Sequence, residues 1–175
     1  MREATRAAEL DPLAVSIQGT LGIGFNLRRE FDLAVARYRR AAALSPDYSG
    51  PAVRLSLIEA ARGRLPEAVE LARRAAQKSN TPVPRATLAR MHALLGQTAE
   101  ARAILGTLES EAEPCVACVV DVHLALGDLD GALAWVARGG WTTAGGAYFP
   151  KVDPAYEPLR QDPRFVELLK LLKLL

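Results

Sequence analysis

The chain has 175 residues, of which half are apolar and about a quarter are charged, so it can build a core and is not intrinsically disordered. Ala, Leu and Arg dominate while Ile, Thr, Phe and Tyr are sparse, which favours helices over strands. The net charge of +2 argues against a general nucleic-acid binder, and no stretch approaches the ~20 consecutive apolar residues of a membrane span.

Charge is distributed unevenly along the chain. Residues 1–90 contain 15 Lys and Arg against 9 Asp and Glu, whereas residues 91–175 contain 7 against 11. The first half is therefore net basic and the second half net acidic. Such an asymmetry can orient partners or promote head-to-tail contacts between copies.

A characteristic pattern of small and large apolar residues occupies residues 15–46. Its members are Leu21, Gly22, Phe25, Phe31, Ala34, Tyr38, Ala41 and Pro46. Small residues at a helix crossing let two antiparallel helices approach, and larger ones fill the sides. The spacing resembles the tetratricopeptide repeat, although Gln18 stands where that family has Trp. This resemblance implies helical hairpins that stack on their neighbours and bind protein segments.

The pattern recurs at intervals of 31–34 residues. Together with this recurrence, the resemblance implies an all-α, right-handed superhelix of antiparallel helix hairpins with a C-terminal capping helix. We expect about nine to eleven helices. The first segment resembles the second helix of a repeat whose first helix is missing, which indicates either a piece of a longer protein or a dedicated cap. The expected divisions are a half repeat at 1–12, repeats at about 13–46, 47–80, 81–112 and 113–140, and a loop with capping helices at 141–175.

Several residues predict where helices begin and end. Gly63 and Gly96 mark turns after first helices, and Thr98 is expected to cap the following helix. Asp162 and Pro163 predict the start of the last helix. That helix carries an apolar stripe expected to cover the end of the repeats, formed by Phe165, Leu168, Leu169 and Leu172.

The C-terminal segment carries a second resemblance. Its motifs are Lys151-Val152-Asp153-Pro154, Pro158-Leu159-Arg160 and Asp162-Pro163-Arg164-Phe165. They resemble the ends of tetratricopeptide tails in bacterial Ser/Thr kinases, winged-helix regulators and cyclases. The resemblance implies a regulatory or sensor module of a larger signalling protein. No kinase, DNA-binding or cyclase motif is present in the sequence, so those activities do not transfer.

Two cysteines form a CxxC motif, Cys115 and Cys118. We expect them to pack as small buried residues, with a thiol redox sensor as a remote alternative. A zinc site is disfavoured because Cys118 and His123, five residues apart on a helix, point to different sides. The sequence therefore predicts no disulfide framework, no metal and no cofactor.

The two histidines, His92 and His123, occupy the repeat position that Phe25 holds in the first repeat. We expect them to pack at helix contacts. A dyad of His123 with Asp121 is disfavoured because residues two apart lie on different helix faces. No nucleophile motif occurs in the sequence, and we expect no catalytic residue.

The family resemblance places partner binding in a concave groove lined by first-helix positions. The expected lining residues are Ile23, Asn26, Leu27, Leu57, Ala60, Arg90, Ala93, Leu94, Asp121 and Leu124. The wall is mainly apolar, which suits an amphipathic helix or an extended apolar peptide. We expect a protein or peptide partner, and self-association into a homo-oligomer is the alternative. The charged start lacks the apolar core of a signal peptide, so we expect a cytoplasmic location, or a periplasmic one if a larger parent protein spans a membrane.

Overall fold

The computed structural model describes residues 6, 10–11, 13–138 and 159–171. Within them every regular element is helical, in the order α1 Val15–Leu27, α2 Phe31–Leu44, α3 Gly50–Ala61, α4 Leu65–Lys78, α5 Pro82–Leu94, α6 Thr98–Glu109, α7 Val116–Ala125, α8 Leu129–Ala137 and α9 Pro163–Leu171. This confirms the all-α prediction for the described part of the chain. Most of the predicted helix at 2–10 and of the predicted loop after residue 140 lies outside the described residues.

The chain forms two compact units, residues 1–80 and 81–175. In the first unit, α1 packs against α2 and α3 against α4, and α2 also packs against α3. The ring of Tyr38 lies against Gly22, where an added methyl group would come within 2.6 Å of the ring. Tyr38 is fully buried beside Ala34, Val35 and Ile58. The small residue at the helix crossing thus makes room for the large one, as the sequence pattern predicts.

The second unit contains the hairpins α5–α6 and α7–α8, with α5 also packed against α7. Its core includes Val119, Val122, Leu105 and Trp135. From α9, this core receives Phe165, Leu168 and Leu169, which are all buried. Three members of the predicted capping stripe therefore pack as expected, and Leu172 lies outside the described residues.

The start of α9 also agrees with the sequence. The helix begins at Pro163, and the Arg164 amide donates to the Asp162 carboxylate at 2.9 Å. The Arg164 side chain bonds to the same carboxylate, and these hydrogen bonds hold the pKa of Asp162 below its usual value. A carboxylate at a helix start also interacts favourably with the helix dipole.

All four described hairpins turn through one backbone motif. The residue after each first-helix C-cap has a positive φ: Arg29 (60°), Gly63 (77°), Gly96 (83°) and Gly127 (71°). Its amide donates to the carbonyl three residues back, and the next amide donates to the carbonyl five residues back, with distances of 2.9–3.0 Å. These two hydrogen bonds define the Schellman motif, which satisfies carbonyls left open at a helix end.

The same motif sets the start of each second helix. The residue that closes the turn is also the N-cap of the helix that follows, so the prediction that Thr98 caps α6 is wrong by one residue. Gln97 is the N-cap, and Thr98 is the first helical residue. Gln97 holds this place because its amide completes the Schellman motif of α5 with the His92 carbonyl. Turn geometry here outweighs the side-chain preference of Thr for an N-cap.

Candidate interaction surface

The first unit presents an apolar pair on one face of α1. Ile23 is 40% exposed and Leu27 is 61% exposed, and they lie four residues apart on the same side of the helix. Asn26, Leu57 and Ala60, also expected in the groove, are half-buried. The exposed pair is therefore the part of the predicted surface in this unit that is most accessible to a partner.

In the second unit the predicted surface residues are less accessible. Arg90 is 3% exposed and Leu124 is 2% exposed, whereas Ala93, Leu94 and Asp121 are half-buried. Leu124 packs in the core of the unit. The Arg90 guanidinium lies 3.7 Å from the Asp121 carboxylate and so links α5 to α7. In this conformation Arg90 and Leu124 are too buried for a partner to contact them directly.

Polar side-chain pairs across three of the hairpin turns were not expected from the sequence. In each pair, a residue near the end of the first helix contacts the residue five positions later that closes the Schellman motif. The pairs are Glu59 with Arg64 at 2.5 Å, His92 with Gln97 at 2.6 Å and His123 with Asp128 at 2.9 Å. The turn brings these positions together, so a spacing of five residues in the repeat is the signal that predicts the contact.

The most developed polar cluster surrounds His123, which is buried as the sequence predicts. One ring nitrogen lies 2.9 Å from Asp128 and the other lies 3.0 Å from Glu109, which also accepts a hydrogen bond from the Trp135 indole at 2.9 Å. A carboxylate only accepts, so both histidine contacts are hydrogen bonds when both nitrogens carry protons. The cluster ties the end of α6 and the end of α7 to α8.

Asp128 completes this arrangement. Its carboxylate accepts a hydrogen bond from the Gly131 amide at 3.0 Å and so caps α8. That hydrogen bond, together with the one from His123, holds the pKa of Asp128 below its usual value, although burial acts in the opposite direction. A methyl group on Gly131 would overlap the His123 ring, so the glycine makes room for the imidazole. We interpret the cluster as structural, because its contacts either join one helix of the unit to another or cap α8.

The two cysteines depart from the expected simple packing. Cys115 and Cys118 are joined by a disulfide with a Cα–Cα distance of 5.2 Å. Cys118 is buried in the core, and Cys115 is more accessible. Cys115 is the extended N-cap residue of α7, whereas Cys118 lies in the first helical turn.

Neither a metal cluster nor a membrane span occurs in the described part of the chain. No group of three or more His, Cys, Asp or Glu among those residues is arranged to hold a metal ion. No helix among them is both long enough and apolar enough to cross a membrane.

Comparison with known families gives an answer that agrees with this geometry. The sequence profile of the tetratricopeptide repeat matches residues 51–74, 82–107 and 120–138, each of which spans one of the observed hairpin turns. Three tetratricopeptide repeats are therefore identified in this chain. The matches end at residue 138, so the resemblance of the C-terminal segment to the tails of signalling proteins remains a prediction. No curated protein sequence matches the chain significantly.

Solved structures of tetratricopeptide-repeat proteins share the fold. A thermophilic tetratricopeptide-repeat protein of Thermus thermophilus aligns with 98% of this chain and 88% of its own at 20% identity and a TM-score of 0.65. YrrB, described as having an unusual peptide-binding site, aligns with 97% of this chain and 90% of its own at 18% identity and a TM-score of 0.57. PilF of Pseudomonas aeruginosa aligns over 90% and 71% at 14% identity and a TM-score of 0.56. At these identities the likeness shows the fold alone.

Proposed function

We propose that this tetratricopeptide-repeat chain is a non-catalytic scaffold that binds an apolar segment of a protein or peptide partner on its first-helix faces. The observation that carries the proposal is the exposed pair Ile23 and Leu27 on one face of α1. Two apolar side chains one helical turn apart match the spacing at which an amphipathic helix presents its own apolar residues. The solved structure of YrrB, described as having a peptide-binding site, adds support by analogy of fold.

The charge around this pair suggests the composition of the partner. Leu27 is followed by the exposed residues Arg28 and Arg29, and the first 90 residues are net basic. Charged groups at the rim of an interface set orientation and association rate more than affinity. We therefore expect a segment with apolar residues at helical spacing and acidic residues beside them.

A peptide-display selection on the immobilised chain provides the probe, because the partner is not identified. Selected peptides are then titrated by fluorescence anisotropy against the parent chain, Leu27→Asp and the matched control Leu33→Asp. Leu33 is 51% exposed on α2 and is outside the predicted surface. Burying a leucine is worth about 1.5–3 kcal/mol, so Leu27→Asp should weaken binding by on the order of tenfold or more.

The outcomes distinguish specific binding at Leu27 from non-specific binding to any exposed apolar residue. Selected peptides that are apolar and acidic, with affinity lost in Leu27→Asp and retained in Leu33→Asp, support the proposal. Equal losses in both variants, or no effect in either, contradict it. Both leucines are exposed, so neither substitution is expected to unfold the unit, and far-UV circular dichroism checks this point.

Self-association is a second candidate function because Leu10 and Leu13 are also strongly exposed. Exposed apolar side chains close together in the chain favour contact with another copy. Light scattering over a dilution series tests this, since a homo-oligomer dissociates on dilution. Leu13→Glu should shift the mass towards the monomer, and a mass that stays monomeric at every concentration contradicts the idea.

A regulatory or sensor role within a larger bacterial signalling protein is a narrower form of the proposal, and it rests on the C-terminal motifs. A cytoplasmic location belongs to the same hypothesis. The reading frame that encodes the chain tests it directly. A kinase, winged-helix or cyclase domain in that frame supports the hypothesis, and a frame without one contradicts it.

A further inference from the structure

We propose that Cys115 and Cys118 form a reversible dithiol–disulfide site that exchanges electrons with thiols and disulfides of the glutathione class. The structure joins the two sulfurs, and the sequence contains no other cysteine that could compete for either of them. The bond lies where the chain enters α7. This inference concerns the bond itself and holds whether or not the first-helix faces bind a peptide.

The position of the disulfide argues against a purely structural role. In the chain-entropy account, the stabilisation by a disulfide increases with the logarithm of the number of residues in the loop that it closes. The two cysteines are only three positions apart, so this loop is among the shortest. The same turn is already closed by the Val119 amide, which donates to the Cys115 carbonyl at 3.0 Å. Val119 is fully buried in the core of the unit. Reduction is therefore expected to leave α7 folded.

The two sulfurs differ in accessibility, which assigns the order of events. Cys118 is 8% exposed and packs in the core, whereas Cys115 is partly exposed just before the start of α7. An external thiolate therefore reaches the Cys115 sulfur first. The bond then breaks towards Cys118, which becomes the leaving group.

The start of α7 suits Cys118 to that role. The first turn of α7 contains no acidic residue, and no described side chain accepts a hydrogen bond as its cap. The partial positive charge of the helix start favours a thiolate there and offsets part of the cost of burying its charge. In the preceding loop, Glu111 pairs with Arg85 at 2.5 Å, which offsets its negative charge. Glu113, in the same loop, is exposed to solvent.

The exchange balances with two thiols, written RSH. A thiolate RS⁻ attacks the Cys115 sulfur, the S–S bond breaks, and the electron pair goes to the Cys118 sulfur, which takes up a proton. A second thiolate attacks the R sulfur of the mixed disulfide, RSSR leaves, and the Cys115 thiolate takes up a proton. The protein disulfide thus gains two electrons and two protons, and glutathione disulfide drives the reverse reaction.

The first test equilibrates the folded 175-residue chain in buffers of varied glutathione to glutathione disulfide ratio. Samples are quenched with acid and alkylated with N-ethylmaleimide, and the mass of the intact protein is then measured by mass spectrometry. The number of alkyl groups should change from none to two across the glutathione range while the far-UV circular dichroism stays constant. Two groups at every ratio, or a disulfide that is reduced only in denaturant, would overturn the proposal.

Single variants test the order of attack. With glutathione disulfide, Cys118→Ser should retain one glutathione on Cys115, whereas the matched variant Cys115→Ser should react more slowly because its remaining thiol is buried. Equal reaction rates in two folded variants would overturn the assignment of Cys115 as the attacked sulfur. If either variant does not fold, the titration of the unmodified sequence decides the redox proposal by itself.

Discussion

Gly96 and Gly106 lie in one helical hairpin, yet replacing each with alanine should have opposite effects on stability. Gly96 follows α5 with a φ of +83°, whereas Gly106 lies inside α6. A methyl group added at either position meets no heavy atom within 4 Å. The two substitutions therefore test backbone energetics without a contribution from steric overlap.

The magnitudes follow from the two conformations. At position 96 the left-handed region costs an L-residue about 1–2 kcal/mol, and the stiffer unfolded chain returns about 0.4–1 kcal/mol. Taking the middle of each range, Gly96→Ala should lower the free energy of unfolding by about 0.8 kcal/mol. Gly106→Ala should raise it by about 0.8–1 kcal/mol, because alanine is the better helix former.

Urea denaturation followed by far-UV circular dichroism measures both effects, with thermal melts as a second readout. In a chain of this length 1 kcal/mol moves the midpoint temperature by roughly 2–4 °C. The reasoning is refuted if the two variants shift in the same direction, or if Gly96→Ala unfolds at the same urea concentration as the parent chain. Gly106→Ala serves as the matched control for the effect of an added methyl group.

Three further substitutions test individual contacts. Tyr38→Phe should leave stability unchanged or raise it by up to about 1 kcal/mol, since the buried Tyr38 hydroxyl has no hydrogen-bond partner among the described residues. Burial raises the pKa of Tyr38 to about 12, so the parent chain should lose stability between pH 10 and 12 and the variant should lose less. Asp128 has a lowered pKa, so its carboxylate stabilises the fold above the pKa of the unfolded state, and this contribution disappears as the pH falls through the folded-state pKa. Asp128→Asn should therefore flatten the acid side of the stability–pH curve, and an unchanged acid side would contradict that explanation. Gly131→Ala should destabilise the second unit by about 1–3 kcal/mol in thermal melts, because the methyl group displaces the His123 ring.

Some of the hairpin turns can be predicted from the sequence, whereas the first one cannot. The turns at Gly63 and Gly96 can be predicted from the sequence, because glycine accepts a positive φ without a steric penalty. Arg29 adopts the same conformation in the first hairpin, with its guanidinium 5.3 Å from the centre of the Phe31 ring. A positive φ at an arginine is imposed by the surrounding turn, so the residue type alone gives no signal there.

The polar contacts of His123 could not be predicted from the positions of residues on the faces of one helix. Such a reading considers neighbours three or four residues away and so dismisses Asp121, but it does not reach across the turn to Asp128. Glu109 is fourteen residues away on another helix, and its contact depends on tertiary packing. The burial of the histidine was predictable because the repeat places an aromatic residue there.

The disulfide between the two cysteines was not predicted from the sequence. Cys115 and Cys118 were expected to pack as small buried residues, with a thiol redox sensor as a remote alternative, whereas the structure joins them across the start of α7. Their Cα atoms are 5.2 Å apart, within the range that a disulfide requires, and residues three apart on a helix have a similar separation. The spacing of the motif is therefore compatible both with simple packing and with a disulfide, so it did not distinguish the two.

The constancy of the Schellman turns has a consequence for protein engineering. The positive-φ residues follow one another at spacings of 34, 33 and 31 positions, so the repeat length varies while the turn geometry does not. The variation is taken up by helix length and by the segments between hairpins, at 45–49, 79–81 and 110–115. Each described hairpin thus keeps a fixed turn between two helices, while the outer ends of those helices vary in position. Grafting or lengthening repeats should succeed at those connecting segments and fail when a residue is inserted at a turn.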